Sequence, residues 1–395
     1  MKKAILVLAF LHLACTEHDE VFQQEYYHCK NTLSTNNPNH QKALPVKRIT
    51  EEMVSKGVPG VMMSVHTEID GYYSTAYGKN DLSNQIDIQA CNLTRVGSTV
   101  KTFTAVTLLK LQEEGKLDLD DLLSKYLPQS IWENIENAKE VSLRQLLNHS
   151  SGIYNYIQDV RFQTASLNDL IKVWTPEELL DYARNNNANF ETGTDVAYSN
   201  TNYILLGMVI ESLEGKPFYK VFEDKIFKPL ELEMTQFAAS DPVPVGIVRG
   251  YIDLYGKLEL TNATYYSGWD YFSADGGLIS NAHDLNIFLT NLFHGNILSN
   301  ASLQEMMDWQ SPKEQNNEDY VTQYGLGIFL IDTDYGPAYL HSGDAIGYFA
   351  SMVYFPNQKT TISWAVNANY GKIDDITQSR NAMNKIFKAV LEEPQ

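Results

Sequence analysis

Cations are scarce in this chain: 30 Lys and Arg stand against 49 Asp and Glu, for a formal net charge of -19. Such a surface repels a polyanion at long range, so nucleic acid is not an expected partner. Cysteines are scarcer, three in 395 residues, and none sits in a Cys-x-x-Cys pair or in a Cys/His cluster with metal-ligand spacing. The nine His are scattered and no His-Glu-x-x-His occurs, which argues against a zinc hydrolase and leaves no cofactor expected. Gly-x-Ser-x-Gly is absent, so the α/β-hydrolase nucleophile elbow is missing as well. Apolar residues are not lacking: at 44% of the chain they can fill a large core, which excludes disorder of the whole.

The N-terminus has the form of a secretory signal, Met1-Lys2-Lys3 followed by an apolar run from Ala4 to Ala14 that is too short to span a bilayer as a mature helix. It ends in Leu13-Ala14-Cys15, which resembles the lipobox of bacterial lipoproteins, with His12 departing from the usual Leu. Two outcomes stay open: cleavage before Cys15 with lipidation of that residue, or simple cleavage near Ala14. Either makes the expected location extracytoplasmic, periplasmic or on the cell surface, with a membrane met only through a lipid. In an oxidising compartment Cys29 and Cys91 are left to pair with each other or to remain two separate thiols.

Residues 16–44 are Asn-rich and lack apolar periodicity, as a linker or arm does. One unit is expected over 45–390. It starts with a short helix and strands at Val58–Val65 and Gly71–Gly78, and residues of about 105–270 read as mostly helical. Strands return at Tyr324–Leu330, Phe349–Phe355 and Thr360–Val366, and an apolar-periodic helix through Ile376, Met383, Ile386, Phe387 and Val390 closes the chain. Capping boxes at Ser142 with Gln145 and at Thr175 with Glu178 mark two helix starts. A helical block interrupting a strand-rich unit gives an α+β class in three layers, an antiparallel sheet flanked by helices with an inserted, mainly helical lobe.

Three short stretches carry chemistry. In Ser98-Thr99-Val100-Lys101, a helix starting at Ser98 brings the Lys101 amine onto the same face, where it can activate the hydroxyl if its charged form is disfavoured by apolar neighbours such as Val100 and Phe103. In Tyr198-Ser199-Asn200, a phenol held partly ionised by a nearby cation can shuttle a proton, and Asn200 offers a donor and an acceptor. In His341-Ser342-Gly343-Asp344, a strand edge containing Gly lets a substrate pair along it, and the amide after the Gly can join that of Ser98 in holding an oxyanion. Each stretch taken alone also fits a plain structural role: an N-cap with a solvated Lys, a Tyr packed at a helix entrance, and a turn with a surface His.

In this order, Ser-x-x-Lys, Tyr-x-Asn and His-x-Gly resemble the penicillin-recognising serine hydrolases of the class C β-lactamase and DD-peptidase type. The class A set instead carries Ser-Asp-Asn and Lys-Thr-Gly in the later places. Further similar stretches are Gly57-Val58-Pro59-Gly60, Leu146 to Gly152, Ala274 to Ser280 with Asp284, and Tyr324-Gly325-Leu326-Gly327. The resemblance implies Ser98 as nucleophile and Lys101 and Tyr198 as the proton-transfer pair. It implies Asn200 as a contact of substrate and Lys101, His341, Ser342, Gly343 and Asp344 as the substrate-flanking strand, and the Ser98 and Asp344 amides as the oxyanion hole.

The departure that bears on substrate is His341, where class C β-lactamases carry Lys; a neutral imidazole attracts a substrate carboxylate less. The expectation is therefore a peptidase resembling D-alanyl-D-alanine carboxypeptidases, acting on a small peptide. The alternatives are a carboxylic-ester hydrolase or β-lactamase of the same fold, or a non-catalytic protein binding cell-wall peptides. His149 and His283 read as capping or packing residues, and Tyr265, Tyr266, Trp269, Tyr271 and Phe272 as cleft lining or packing between lobes.

Overall fold

The computed structural model describes Leu33, residues 35–266, 273–314, Tyr320 and 322–392. The expected signal segment, Cys15, Cys29, Trp269, Tyr271 and Phe272 lie outside the described residues. Cys91 is disulfide-bonded, and its partner lies outside them too.

Eight strands form one antiparallel sheet: β1 (Gly60–Thr67), β2 (Gly71–Asp81), β3 (Ile86–Asp87), β4 (Thr322–Tyr324), β5 (Phe329–Thr333), β6 (Gly336–Ala345), β7 (Tyr348–Phe355) and β8 (Thr360–Val366). Their order is β3-β2-β1-β8-β7-β6-β5-β4. An early and a late strand thus meet in the middle of the sheet, where Met63 of β1 stands opposite Trp364 of β8. Five helices matter to the site: α1 (Ala43–Ser55), α2 (Val100–Glu113), α3 (Asn200–Glu214), α4 (Ala282–Phe293) and α5 (Arg380–Leu391).

Side-chain alternation along the strands sorts residues into two cores. Val61, Met63 and Val65 pack with Ile362, Trp364 and Val366 under α1 and α5, which contribute Val46, Ile49, Met53, Ile386 and Phe387. Met62, Met352 and Ala365 point to the opposite face and join the core of the helical lobe, with α4 lying across β1, β7 and β8. Because both faces are covered, the central strands read as nearly continuous apolar runs. Full burial of each Val, Ile or Phe contributes roughly 1.5–3 kcal/mol relative to exposure. The indole of Trp364 is buried with its Nε1–H donated to the Thr377 carbonyl at 3.1 Å, so the large apolar ring brings no unsatisfied donor into the core.

The expected three-layer α+β architecture is present, and both expected capping boxes form, at Ser142 with Gln145 and at Thr175 with Glu178. Four local expectations differ. The described end of the arm lies along β2, with the Asn37 amide donating to the Tyr72 carbonyl at 2.7 Å, and α1 begins at Ala43. Helix stops at Phe227 rather than near residue 270. Beyond it Pro242, Pro244, Gly246, Gly250 and Gly256 break periodic structure, leaving two-residue strands such as Gln236–Phe237 and Tyr251–Ile252. The strand expected over 324–330 is split: the Gly325 amide bonds the Ile328 carbonyl and that of Leu326 bonds Met306, which turns the chain between β4 and β5. The closing helix is two, Lys372–Thr377 and α5, because Ser379 caps a fresh start at the Ala382 amide. Among the described residues no helix is long and apolar enough to cross a membrane.

Candidate active site

Gly97–Thr99 form a 3-10 turn that runs directly into α2. Two glycines allow this turn to press against β6. Gly97 has φ +48°, and a Cβ there would lie 2.4 Å from the Asp344 carbonyl oxygen; a Cβ on Gly343 would lie 2.1 Å from the Val96 carbonyl oxygen and 2.4 Å from the Ser98 nitrogen. Only backbone fits in that gap, so the backbone of Ser98 sits beside that of Gly343 and Asp344. Helix α2 itself is buried on nearly every side. Its hydroxyls are used as anchors: Thr102 Oγ1 donates to the Gly327 carbonyl at 2.7 Å and Thr104 Oγ1 to the Ala274 carbonyl at 3.1 Å. The latter anchor holds the Ala274-Asp275 segment against the helix.

Lys101 is fully buried one helical turn on from Ser98. Its Nζ lies 2.9 Å from Ser98 Oγ and donates to the Asp275 carbonyl oxygen at 2.5 Å. A carbonyl is neutral, so this contact orients the amine without adding a counter-charge, and an unprotonated amine donating there keeps its lone pair for the serine proton. The rings of Tyr198 and Tyr203 flank the amine, with centroids 5.1 and 5.5 Å from Nζ, and Tyr203 is pinned by its hydroxyl to the Leu147 carbonyl at 2.8 Å.

Tyr198 makes a side-chain hydrogen bond to Ser98, but burial, with the Asp275 carboxyl adding to it, drives the phenol far above its ordinary range. This corrects the expectation of a partly ionised phenol: desolvation outweighs the hydrogen bond, and Tyr198 rests neutral. His341 is buried, and burial followed by the nearby Lys101 lowers its imidazole to about 3, so it carries no charge near neutral pH. Its Nδ1 meets the Ser342 carbonyl at 2.7 Å, which makes that nitrogen the donor, and leaves Nε2 as an acceptor with no partner among the described residues.

Ser98, Tyr198, Asn200, His341, Ser342 and Asp344 all line one cavity of about 540 Å³, together with Ile157, Asp275, Tyr324, Phe329, Phe349 and Gln378 among others. Residues from three distant stretches thus share one wall, and Gly343 supplies the close backbone approach behind it. One expected contact is absent. Asn200 Nδ2 and its backbone amide are directed to Asn155 Oδ1, at 3.4 and 3.2 Å, and Lys101 is oriented by the Asp275 carbonyl instead.

Sequence reasoning singles out the stretch around Asp275 without giving it a task, and has no signal for Asn155, Tyr156 or Tyr203. The Asp275 carboxyl is buried, raised by that burial, and accepts from Tyr156 OH at 2.9 Å. His149 packs, as expected, with its ring 4.4 Å from that of Tyr198 and Nδ1 accepting from the Ser199 amide at 3.1 Å. Of the aromatic run, Tyr265 is exposed beside Arg249 and does not line the cavity.

Comparison with known proteins places this geometry. The chain is 24% identical over 343 residues to Protein flp of Staphylococcus aureus (strain MW2), covering 85% of this chain and 65% of that protein. It is 26% identical over 310 residues to Penicillin-binding protein 4* of Bacillus subtilis (strain 168), covering 75% and 66%. The chain thus spans just under two thirds of the length of these relatives. Among solved structures, a D-stereospecific amidohydrolase from Streptomyces sp. superposes with a TM-score of 0.74 at 28% identity over 88% of this chain and 98% of that one. The D-amino acid amidase from Ochrobactrum anthropi SV3 complexed with D-phenylalanine reaches 0.78 over 89% and 99%, at 23% identity, a likeness of fold. The Beta-lactamase family model matches residues 46–383, nearly the whole described chain from α1 into α5, and with the Ser98, Lys101 and Tyr198 cavity inside that span the chain belongs to the Beta-lactamase family.

Proposed function

We propose that the protein is a serine amidohydrolase that cleaves small D-configured amides or short peptides through an acyl-enzyme on Ser98. The observation that carries this reading is the 2.9 Å approach of Lys101 Nζ to Ser98 Oγ at the floor of an open cavity, the juxtaposition of base and hydroxyl that covalent catalysis requires. The D-configuration is supported by the Streptomyces amidohydrolase at 28% identity.

In this mechanism Ser98 passes its proton to the Lys101 amine as Oγ bonds the carbonyl carbon, and the Ser98 and Asp344 amides hold the oxyanion. The C–N bond breaks as Tyr198 protonates the departing nitrogen, and the Lys101 ammonium returns a proton to the phenolate. Water then attacks acyl-Ser98, losing its proton to Lys101, and Ser98 regains one as the acid leaves. Cleavage of a terminal D-alanyl-D-alanine bond, as in a carboxypeptidase, uses the same steps and is the larger-substrate form of the proposal. The neutral His341 and a described cavity wall without Lys or Arg weigh toward smaller amides, since a terminal carboxylate finds no cation there. We propose further that the protein acts outside the cytoplasm, tethered at Cys15; the disulfide at Cys91 supports an oxidising compartment.

The test is to expose the purified protein to a fluorophosphonate, a penicillin and a panel of D- and L-amino acid amides, with peptide mapping of any adduct. A fluorophosphonate adduct on Ser98 together with release of amine from the D-amides is expected. Labelling with turnover of simple esters alone moves the reading to an ester hydrolase, rapid opening of the penicillin moves it to a β-lactamase, and no label and no turnover leaves a peptide-binding protein.

A further inference from the structure

The substrate-flanking strand carries a carboxylate that the chemistry above does not use. Asp344 follows Gly343 on β6 and lines the cavity with Ser98. Its Oδ1 accepts from Gln378 Nε2 at 3.3 Å and from Asn369 Nδ2 at 3.4 Å. Both donors are neutral amides, so they aim the carboxylate without cancelling its charge. Oδ2 has no hydrogen-bond partner among the described residues.

The rest of the wall offers no positive charge to match it. Lys101 is engaged below the cavity floor with Ser98 and Asp275, His341 is neutral, and the described lining contains neither Lys nor Arg. Asp344 is exposed on β6, and although desolvation by its surroundings and then Asp374 push its carboxyl up to about 6, an exposed carboxyl of this kind is mostly ionised at neutral pH. A buried acceptor without a partner among the described residues, His341 Nε2, belongs to the same wall. A negative group and an unpaired acceptor together favour a ligand that brings N–H donors and positive charge.

Position sharpens this. The backbone of Asp344 is pressed against that of Gly97, the residue before Ser98, and Asp344 lines the same cavity in which Ser98 would attack a carbonyl carbon. In an α-amino amide the ammonium is two bonds from that carbon. We propose that Asp344 determines specificity by receiving the free ammonium of a substrate whose amino group lies next to the scissile carbonyl, an α-amino amide or the N-terminal residue of a short peptide. The proposal rests on the reading of Ser98 as the nucleophile of an amidohydrolase. It predicts that the enzyme removes residues from a free amino end and discriminates against acyl groups that are N-acylated or carry a carboxylate.

The test compares D-alanine p-nitroanilide with its N-acetyl derivative, for the wild-type protein and for Asp344→Asn and Asp344→Glu. Wild type is expected to favour the free amine in kcat/KM by about tenfold or more, the scale of a charge-assisted contact. Asp344→Asn is expected to bring the two within about threefold, mostly through KM, and Asp344→Glu to restore part of the preference. Fluorophosphonate labelling of Ser98 reports separately whether each variant's site is assembled. A wild-type preference for the N-acetyl substrate overturns the proposal without any variant, and so does an unaltered preference in a labelled Asp344→Asn protein. Absence of both labelling and turnover in wild type would instead sink the Ser98 reading itself.

Discussion

Among the described residues, two places bring a serine hydroxyl against a nitrogen base, and only one of them has the makings of a nucleophile. At one, Ser98 Oγ meets Lys101 Nζ at 2.9 Å. At the other, deep between β2 and α4, Ser74 Oγ meets His283 Nδ1 at 2.8 Å. A serine beside a histidine is the more familiar pairing. Its hydrogen bonds are already committed, however: Ser74 donates to Ser64 Oγ at 2.9 Å, so it accepts from His283 Nδ1–H, while His283 Nε2 faces Thr35 Oγ1 at 2.9 Å. With both ring nitrogens engaged, His283 has no lone pair for the Ser74 proton. Burial lowers it to about 4, and the cluster serves to tie the described end of the arm to β2 and α4. Ser98 differs in opening onto a cavity, in facing an amine that also donates to a backbone carbonyl, and in lying against the glycine-lined backbone of β6. Distance between hydroxyl and base is common to both clusters, and so is a nitrogen that donates to the serine oxygen; access to a substrate and a base whose nitrogens are not all committed separate them.

The largest effects that can break this comparison come from Ser98. Ser98→Ala is expected to reduce turnover to background and abolish fluorophosphonate labelling, with unfolding midpoint unchanged; Lys101→Met should lose activity on a similar scale. Retained turnover in Ser98→Ala would mean that the base and hydroxyl geometry has been misread. Tyr198→Phe removes only the proton carrier, and a loss of roughly 10²–10⁴-fold in kcat is expected, largest for substrates with poor leaving groups; equal losses for amide and activated ester would assign Tyr198 to another step.

A smaller effect concerns acid. His341 titrates near 3 in the folded protein and near 6.5 when unfolded. Between those values the unfolded chain binds a proton that the native state does not, so this contribution to stability is present above about pH 6.5 and is lost progressively as pH falls. By pH 5 the loss amounts to about 2 kcal/mol. Urea unfolding at pH 7 and pH 5 should therefore show a shallower pH slope for His341→Gln than for wild type, and an identical slope would mean that the imidazole is charged in the site. The smallest effect is at the Ser74 cluster: Ser74→Ala should cost about 1–2 kcal/mol of stability, from the partners it leaves unpaired, while kcat/KM stays unchanged. Loss of Ser98 labelling in a folded Ser74→Ala protein would erase the distinction between the two clusters.

The catalytic cluster is readable from sequence to the extent that it is local. Ser98 and Lys101 are three residues apart on one helix, a spacing that dictates a shared face, and the stretches at Tyr198 and His341 carry their residue types in short order. What holds them is not readable. Lys101 is oriented by a backbone carbonyl 174 positions away, and a carbonyl has no residue type to betray it. The resemblance gives Asn200 the Lys101 contact, yet Asn155 competes for its amide from the neighbouring loop. The end of the helical lobe is overestimated because apolar residues after Phe227 are buried by two-residue strands with no period long enough to measure.

Sequence alone therefore determined the alternation that divides the sheet into two cores, the capped helix starts, and the identity and spacing of Ser98, Lys101, Tyr198 and His341, because each depends on neighbours within a few positions. Tertiary structure alone decided the charge states of that site, with Tyr198 and His341 neutral and Asp344 aimed but unmatched. Those follow from desolvation and from partners brought by distant segments, and neither quantity exists until the chain has closed around them.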